Sequence, residues 1–205
     1  MKNLKNFICF IAILMTSASS IIAQELSTTE DYLERHALYD YSEKQLNNTD
    51  SIPDFASKQD KLKITGTVYQ SDGVTPAKDV IIYISQPDEN GFYDLRKKND
   101  KRYIHHRGWV KTDADGKYTF YTFIPGNFTR NRELKHIHPT IKEPGKEEYA
   151  LEAFLFDNDP FLSKSCRKRL AKKGIDNILI VEEQNDLFVT TKDIVLEADK
   201  SEYTK

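Results

Sequence analysis

Apolar and polar positions alternate from Lys61 to Tyr69, with Leu62, Ile64 and Val68 on one side and Lys61, Lys63 and Thr65 on the other. Residues two apart on a strand share a face, so this run predicts a half-buried strand, closed by the turn residues Ser71 to Pro76. A second apolar run, Val80 to Ile84, predicts another strand. Asp88-Glu89-Asn90-Gly91 then opens a long polar loop that extends to Arg107. Trp109 to Thr112 and Lys117 to Phe123 flank Asp113-Ala114-Asp115-Gly116, a strand, tight turn and strand that predict a hairpin ended by Pro125-Gly126. Further strands are expected at His136 to Ile141, Ala150 to Phe156 and Phe188 to Leu196. A basic helix is expected at Pro160 to Lys173, with Gly174 as its stop. So many strands with a few short helices predict a mainly β protein, an antiparallel β-sandwich whose inner faces are filled by the alternating apolar residues. The sandwich is placed at residues 61–198, followed by a C-terminal tail, residues 199–205.

Upstream of Leu62 the pattern changes. Met1 to Ala23 joins Lys2 and Lys5 to an apolar run from Phe7 to Met15, the form of a secretory signal cut after Ala23. That run is shorter than the ~20 apolar residues a membrane span takes. The expectation is therefore an exported protein, periplasmic or extracellular, with no stable membrane span once the signal is removed. Residues 24–60 form an acidic leader without glycine. Within it Tyr32, Leu33, Ala37, Leu38 and Tyr41 predict one short amphipathic helix, and the stretch from Asn47 to Pro53 a linker. Cys166 would be the single thiol of the mature chain, so no intrachain disulfide is expected. The 205-residue chain carries 30 basic and 32 acidic residues, a net charge of −2 that lacks the basic footprint of a nucleic-acid binder. Homo-oligomerisation is left open.

The sharpest local chemistry is His136-Ile137-His138. On a strand both imidazoles point to one face and could reach one metal ion, while Ile137 faces the core. Two surface or hydrogen-bonded histidines are the plain alternative. His105 and His106 are adjacent, so on an extended strand only one could face a common site.

Several segments, in order, resemble one family. They are Gln86 to Tyr93, Arg107 to Phe120, Ile124-Pro125-Gly126, His136-Ile137-His138, Phe154 to Pro160 and Asp193-Ile194-Val195-Leu196. Together they resemble the intradiol ring-cleavage dioxygenases, the family of catechol 1,2-dioxygenase and protocatechuate 3,4-dioxygenase, over about Leu62 to Leu196. The resemblance implies a β-sandwich that binds a non-haem Fe(III) through two tyrosinates and two histidines and cleaves a catechol-type aromatic ring with O2. It places Tyr93 on the first tyrosinate and His136 and His138 on the histidine pair. Ferric iron is a hard acid, phenolate is a hard donor, and coordination removes the proton of a phenol whose free pKa is ~10.

Two positions depart from the family's pattern. Its second tyrosinate follows the Pro-Gly of the hairpin, where this chain has Phe128, which cannot ligate iron or take a proton. Its arginine three residues before the first histidine is replaced by Glu133, with Arg130 and Arg132 nearby as substitutes; Arg132 is the candidate retained for catalysis. Three readings follow: a three-ligand iron site of Tyr93, His136 and His138; a replacement ligand from Tyr103, His105, His106 or Tyr121; or a catalytically lapsed member. Gly66 to Tyr69, Thr75 to Val80 and Thr112 to Phe120 also resemble the transthyretin-like and carboxypeptidase-regulatory sandwich modules, which imply binding without catalysis.

Overall fold

The computed structural model describes residues 32–41 and 45–198. The expected signal segment, the start of the leader and the tail lie outside the described residues. Two six-stranded sheets face one another. The first comprises β1 (Thr49–Ser51), β2 (Lys61–Tyr69), β7 (Lys117–Phe123), β12 (Glu182–Gln184), β13 (Leu187–Thr191) and β14 (Ile194–Val195). The second comprises β3 (Ile81–Ser85), β6 (Arg107–Lys111), β8 (His136–Lys142), β9 (Tyr149–Ala150), β10 (Phe154–Phe156) and β11 (Ile178–Leu179). A separate hairpin, β4 (Leu95–Lys98) with β5 (Lys101–Ile104), stands off the sandwich. No helix among the described residues is long and apolar enough to cross a membrane.

The alternation that predicts the strands is the alternation that fills the core. Leu62, Ile64 and Val68 of β2 meet Tyr118 and Phe120 of β7, and this layer packs on Ile82, Ile84, Val110, Ile137 and Ile141 of the second sheet. Each of these side chains is removed from water, which stabilises the fold by about 1.5–3 kcal/mol per large apolar residue. Gln86, fully buried where β3 ends, joins the layers. Its amide nitrogen donates to Phe123 O at 3.0 Å and its oxygen accepts from Thr122 Oγ1 at 2.5 Å.

The sandwich is as predicted, with several differences in detail. Its sheets are mixed, since β1 runs parallel to β7, β13 and β14 parallel to β2, and β11 parallel to β10. Val80 belongs to the turn before β3, because Asp79 takes a left-handed backbone with φ 61°. The expected strands at Ala150 to Phe156 and Phe188 to Leu196 are each interrupted, into β9 and β10 and into β13 and β14. The polar loop before Arg107 contains the β4–β5 hairpin, turned by Asn99 and Asp100, both at positive φ. The basic helix, α1 (Lys164–Lys172), begins later than Pro160, because Ser163 is its cap and accepts from the Cys166 N–H at 3.2 Å.

Part of the expected linker is structured. Thr49, Asp50 and Ser51 form β1 by pairing with β7, and the Asp50 carboxylate accepts from the Trp109 N–H at 2.9 Å. Further upstream, the described part of the leader makes a 3-10 turn at Ala37–Tyr39 and lays Leu38, fully buried, over Tyr83 and Trp109. The leader therefore covers the outer face of β3 and β6.

Candidate metal centre

His136 and His138 stand on β8 with Ile137 between them fully buried, so the period-two geometry expected from the sequence holds. Their ring centroids are 4.6 Å apart, edge to face. His136 Nδ1 lies 2.6 Å from Leu134 O and must carry the proton that this carbonyl accepts. Its Nε2 is then left with a lone pair, and Tyr93 Oη donates to it at 2.8 Å. A backbone carbonyl orienting one ring nitrogen so that the other can ligate is the usual second partner of a metal-binding histidine.

Tyr93 reaches β8 from a turn with its own lock. Asp88 Oδ1 accepts from the Asn90 N–H at 2.8 Å and the Phe92 N–H at 2.9 Å, while Asp88 N donates to Phe92 O at 2.8 Å. Gly91 turns at φ 82°, and a Cβ there would lie 2.4 Å from Phe128 N. Gly126 has no more room, since its Cβ would lie 2.1 Å from Glu89 O. The Pro125-Gly126 segment and the Tyr93 turn are thus packed backbone on backbone, and Phe128 meets Phe92 edge to face at 5.0 Å.

Burial, together with the negative charge of Glu133, raises the Tyr93 phenol above its ordinary pKa, so without a cation it is a neutral donor. His138, open to solvent along one side, is pushed down by the desolvating protein around it and by His136, which favours the neutral, ligating imidazole. The donor set fits a hard cation.

The other expected residues have local partners of their own. Arg132, at a left-handed φ of 55°, sets its guanidinium over Phe161 at 5.5 Å. Tyr103 lies under the Arg107 guanidinium at 4.1 Å, and Tyr121 packs on Phe55. His105 and His106 gather with Asp54 rather than with the β8 pair. Asp159 has a role that sequence reasoning missed. Buried, it accepts from Asn127 Nδ2 at 3.0 Å, the Lys135 N–H at 2.6 Å and the Phe161 N–H at 2.8 Å, tying down both ends of the loop between Phe128 and His136. The Asn158-Asp159-Pro160 turn was its only signal. A cavity of about 830 Å³ adjoins His138, lined among others by Leu151, Phe154, Ile175 and Asn177.

The sandwich has the fold of the intradiol dioxygenases. The dioxygenase domain of a dioxygenase and carbohydrate-binding protein fusion from Streptomyces sp. SirexAA-E is similar over 76% of this chain and 92% of its own, at 21% identity and TM-score 0.55. An intradiol ring-cleavage dioxygenase from Tetranychus urticae is similar over 76% and 89%, at 21% identity and TM-score 0.54. Catechol 1,2-dioxygenase from Pseudomonas arvilla C-1 gives TM-score 0.58 at 14% identity, and this chain spans 58% of its length. No family model and no curated protein matches the sequence.

Proposed function

We propose that this protein is an exported intradiol dioxygenase, using a non-haem Fe(III) held by Tyr93, His136 and His138 to open a catechol-type ring with O2. The observation that carries this reading is the 2.8 Å approach of Tyr93 Oη to His136 Nε2, with His138 beside them on the same strand face. Iron, when bound, supplies Lewis acidity and a template for a chelating diol. Loading the site requires Tyr93 to release its phenolic proton, because only the phenolate is a ligand. Leu134 O holds the His136 ring in the tautomer that ligates, so this residue needs no reorganisation. Phe128 offers no oxygen for a substrate proton, so it cannot act as the base of the site.

A second reading, a catalytically lapsed member, is favoured by Phe128, which packs on Phe92 where the resemblance calls for a ligand. Iron content and oxygen uptake on catechol and a hydroxylated catechol, measured on the parent and on Tyr93→Phe, separate the readings. An active dioxygenase binds iron and consumes oxygen in the parent only. Iron without oxygen uptake identifies a lapsed enzyme, and a parent that takes up no iron overturns the proposal.

A further inference from the structure

A second group of ligating side chains lies outside the Tyr93 centre. Asp54, His105 and His106 each place one ligand atom within 4.8 Å of the other two, and neither His136 nor His138 joins them. The chain brings them together from two places. Asp54 follows β1 and precedes a 3-10 turn at Phe55–Ser57; His105 and His106 link β5 to β6. The backbone holds the histidines apart from one another in role, since His105 N donates to Asp94 O and His106 O accepts from Gln86 N.

His106 is the unusual member. It is 3% exposed, and its Nδ1 is buried with no hydrogen-bond partner. An unpaired buried polar group costs about 1–3 kcal/mol, so a buried Nδ1 without a partner is unusual. His106 Nδ1 is therefore a lone pair or N–H without an acceptor or donor of its own, on a ring that belongs to the group. Asp54 is also free of the local duty its position suggests. As the residue preceding a 3-10 turn it makes no side-chain cap bond, and its carboxylate turns instead to His105 Nε2 at 2.8 Å.

The charges around the group leave room for a cation. The carboxylates acting on it are Asp54, Glu89 and Asp94; the cations are Lys58 and Arg96. Lys58 is paired with Glu89 at 2.9 Å and Arg96 with Asp94 at 2.8 Å, so of these three carboxylates Asp54 is the one that turns to the histidines. Two imidazoles and one carboxylate form a donor set suited to a first-row divalent ion, with positions left for water or a ligand.

From these observations we infer that Asp54, His105 and His106 form a second metal site, for a divalent ion of the zinc type, distinct from the Tyr93 centre. Its ion would tether the turn after β1 to the chain entering β6, the strand that pairs with β3. The inference does not depend on the dioxygenase reading.

Zinc binding by the purified protein, measured by calorimetric titration and by metal content after dialysis, tests it. The comparison includes the parent, Asp54→Asn, His105→Gln and Tyr93→Phe, with circular dichroism confirming that each is folded. Loss of a partner behind a metal ligand weakens binding by about 10–100-fold, so loss of a ligand should weaken it at least as much. Asp54→Asn and His105→Gln should each lose one zinc or bind it more than about tenfold more weakly, and Tyr93→Phe should keep it. Unchanged zinc in Asp54→Asn and His105→Gln, or a parent that binds no zinc, overturns the inference.

Discussion

Replacing Gly91 by alanine should unfold the Tyr93 turn more readily than any sequence pattern would suggest, and Gly145 provides the control. Both glycines have positive φ, 82° and 76°, but a Cβ on Gly145 meets nothing within 4 Å, whereas one on Gly91 would lie 2.4 Å from Phe128 N and 2.6 Å from Asn127 C. The left-handed backbone costs an alanine roughly 1–2 kcal/mol. Reduced freedom of the unfolded chain returns about 0.4–1 kcal/mol. Gly145→Ala should then destabilise by about 0–1.6 kcal/mol. Gly91→Ala must in addition push one backbone segment off another, an overpacking cost of about 1–3 kcal/mol, for a total near 2–4 kcal/mol. In a chain of this size each kcal/mol moves the thermal midpoint by about 2–4 °C. Urea unfolding should show a lower midpoint with an unchanged slope for both variants, with Gly91→Ala clearly the weaker. Equal midpoints would refute the claim that the Tyr93 turn and the Phe128 segment are fixed against each other.

Three further outcomes follow from the packing and the charges. Asp159→Ala removes a buried carboxylate from three donors and should destabilise by about 3 kcal/mol or more in urea, whereas Asp157→Ala, at an exposed carboxylate paired with Arg167, should change the midpoint little. Leu38→Ala opens a cavity under the leader and should cost about 2–5 kcal/mol; Trp109, the only tryptophan, should report it as a red-shifted emission. Tyr39 donates to Glu148 at 2.5 Å, and this bond with the neighbouring negative charges pushes the phenol up to about 12. A raised phenol stabilises the fold fully below pH 10 and loses that contribution as pH rises toward 12, so Tyr39→Phe should flatten part of the alkaline fall in the urea midpoint.

Legibility from sequence divides along physical lines. Strands of the sandwich were readable because one face is buried, and burial writes a period of two, as in β2 and β8. The β4–β5 hairpin left no such trace: Leu95 to Lys98 are all exposed, so nothing forces alternation, and only the Asn99-Asp100 turn hinted at it. Strand β1 is three polar residues whose conformation comes from β7 and not from themselves. At the site, the His-x-His pair followed from strand geometry alone. Tyr93 did not, because its approach depends on Gly91 and Gly126 bringing two loops together, and only the family resemblance pointed to it. The Asp54, His105 and His106 group was invisible for a related reason, since its members meet through tertiary structure across about fifty residues of chain.

The central claim is that one phenol and two imidazoles share a metal ion. The visible spectrum of the protein loaded with ferric iron tests it most directly, because iron-bound phenolate absorbs where neither iron held by imidazole nor free tyrosine does. The parent should turn wine-red, and Tyr93→Phe should stay colourless under the same loading. A colourless parent, or a Tyr93→Phe protein with the same band, would contradict the account.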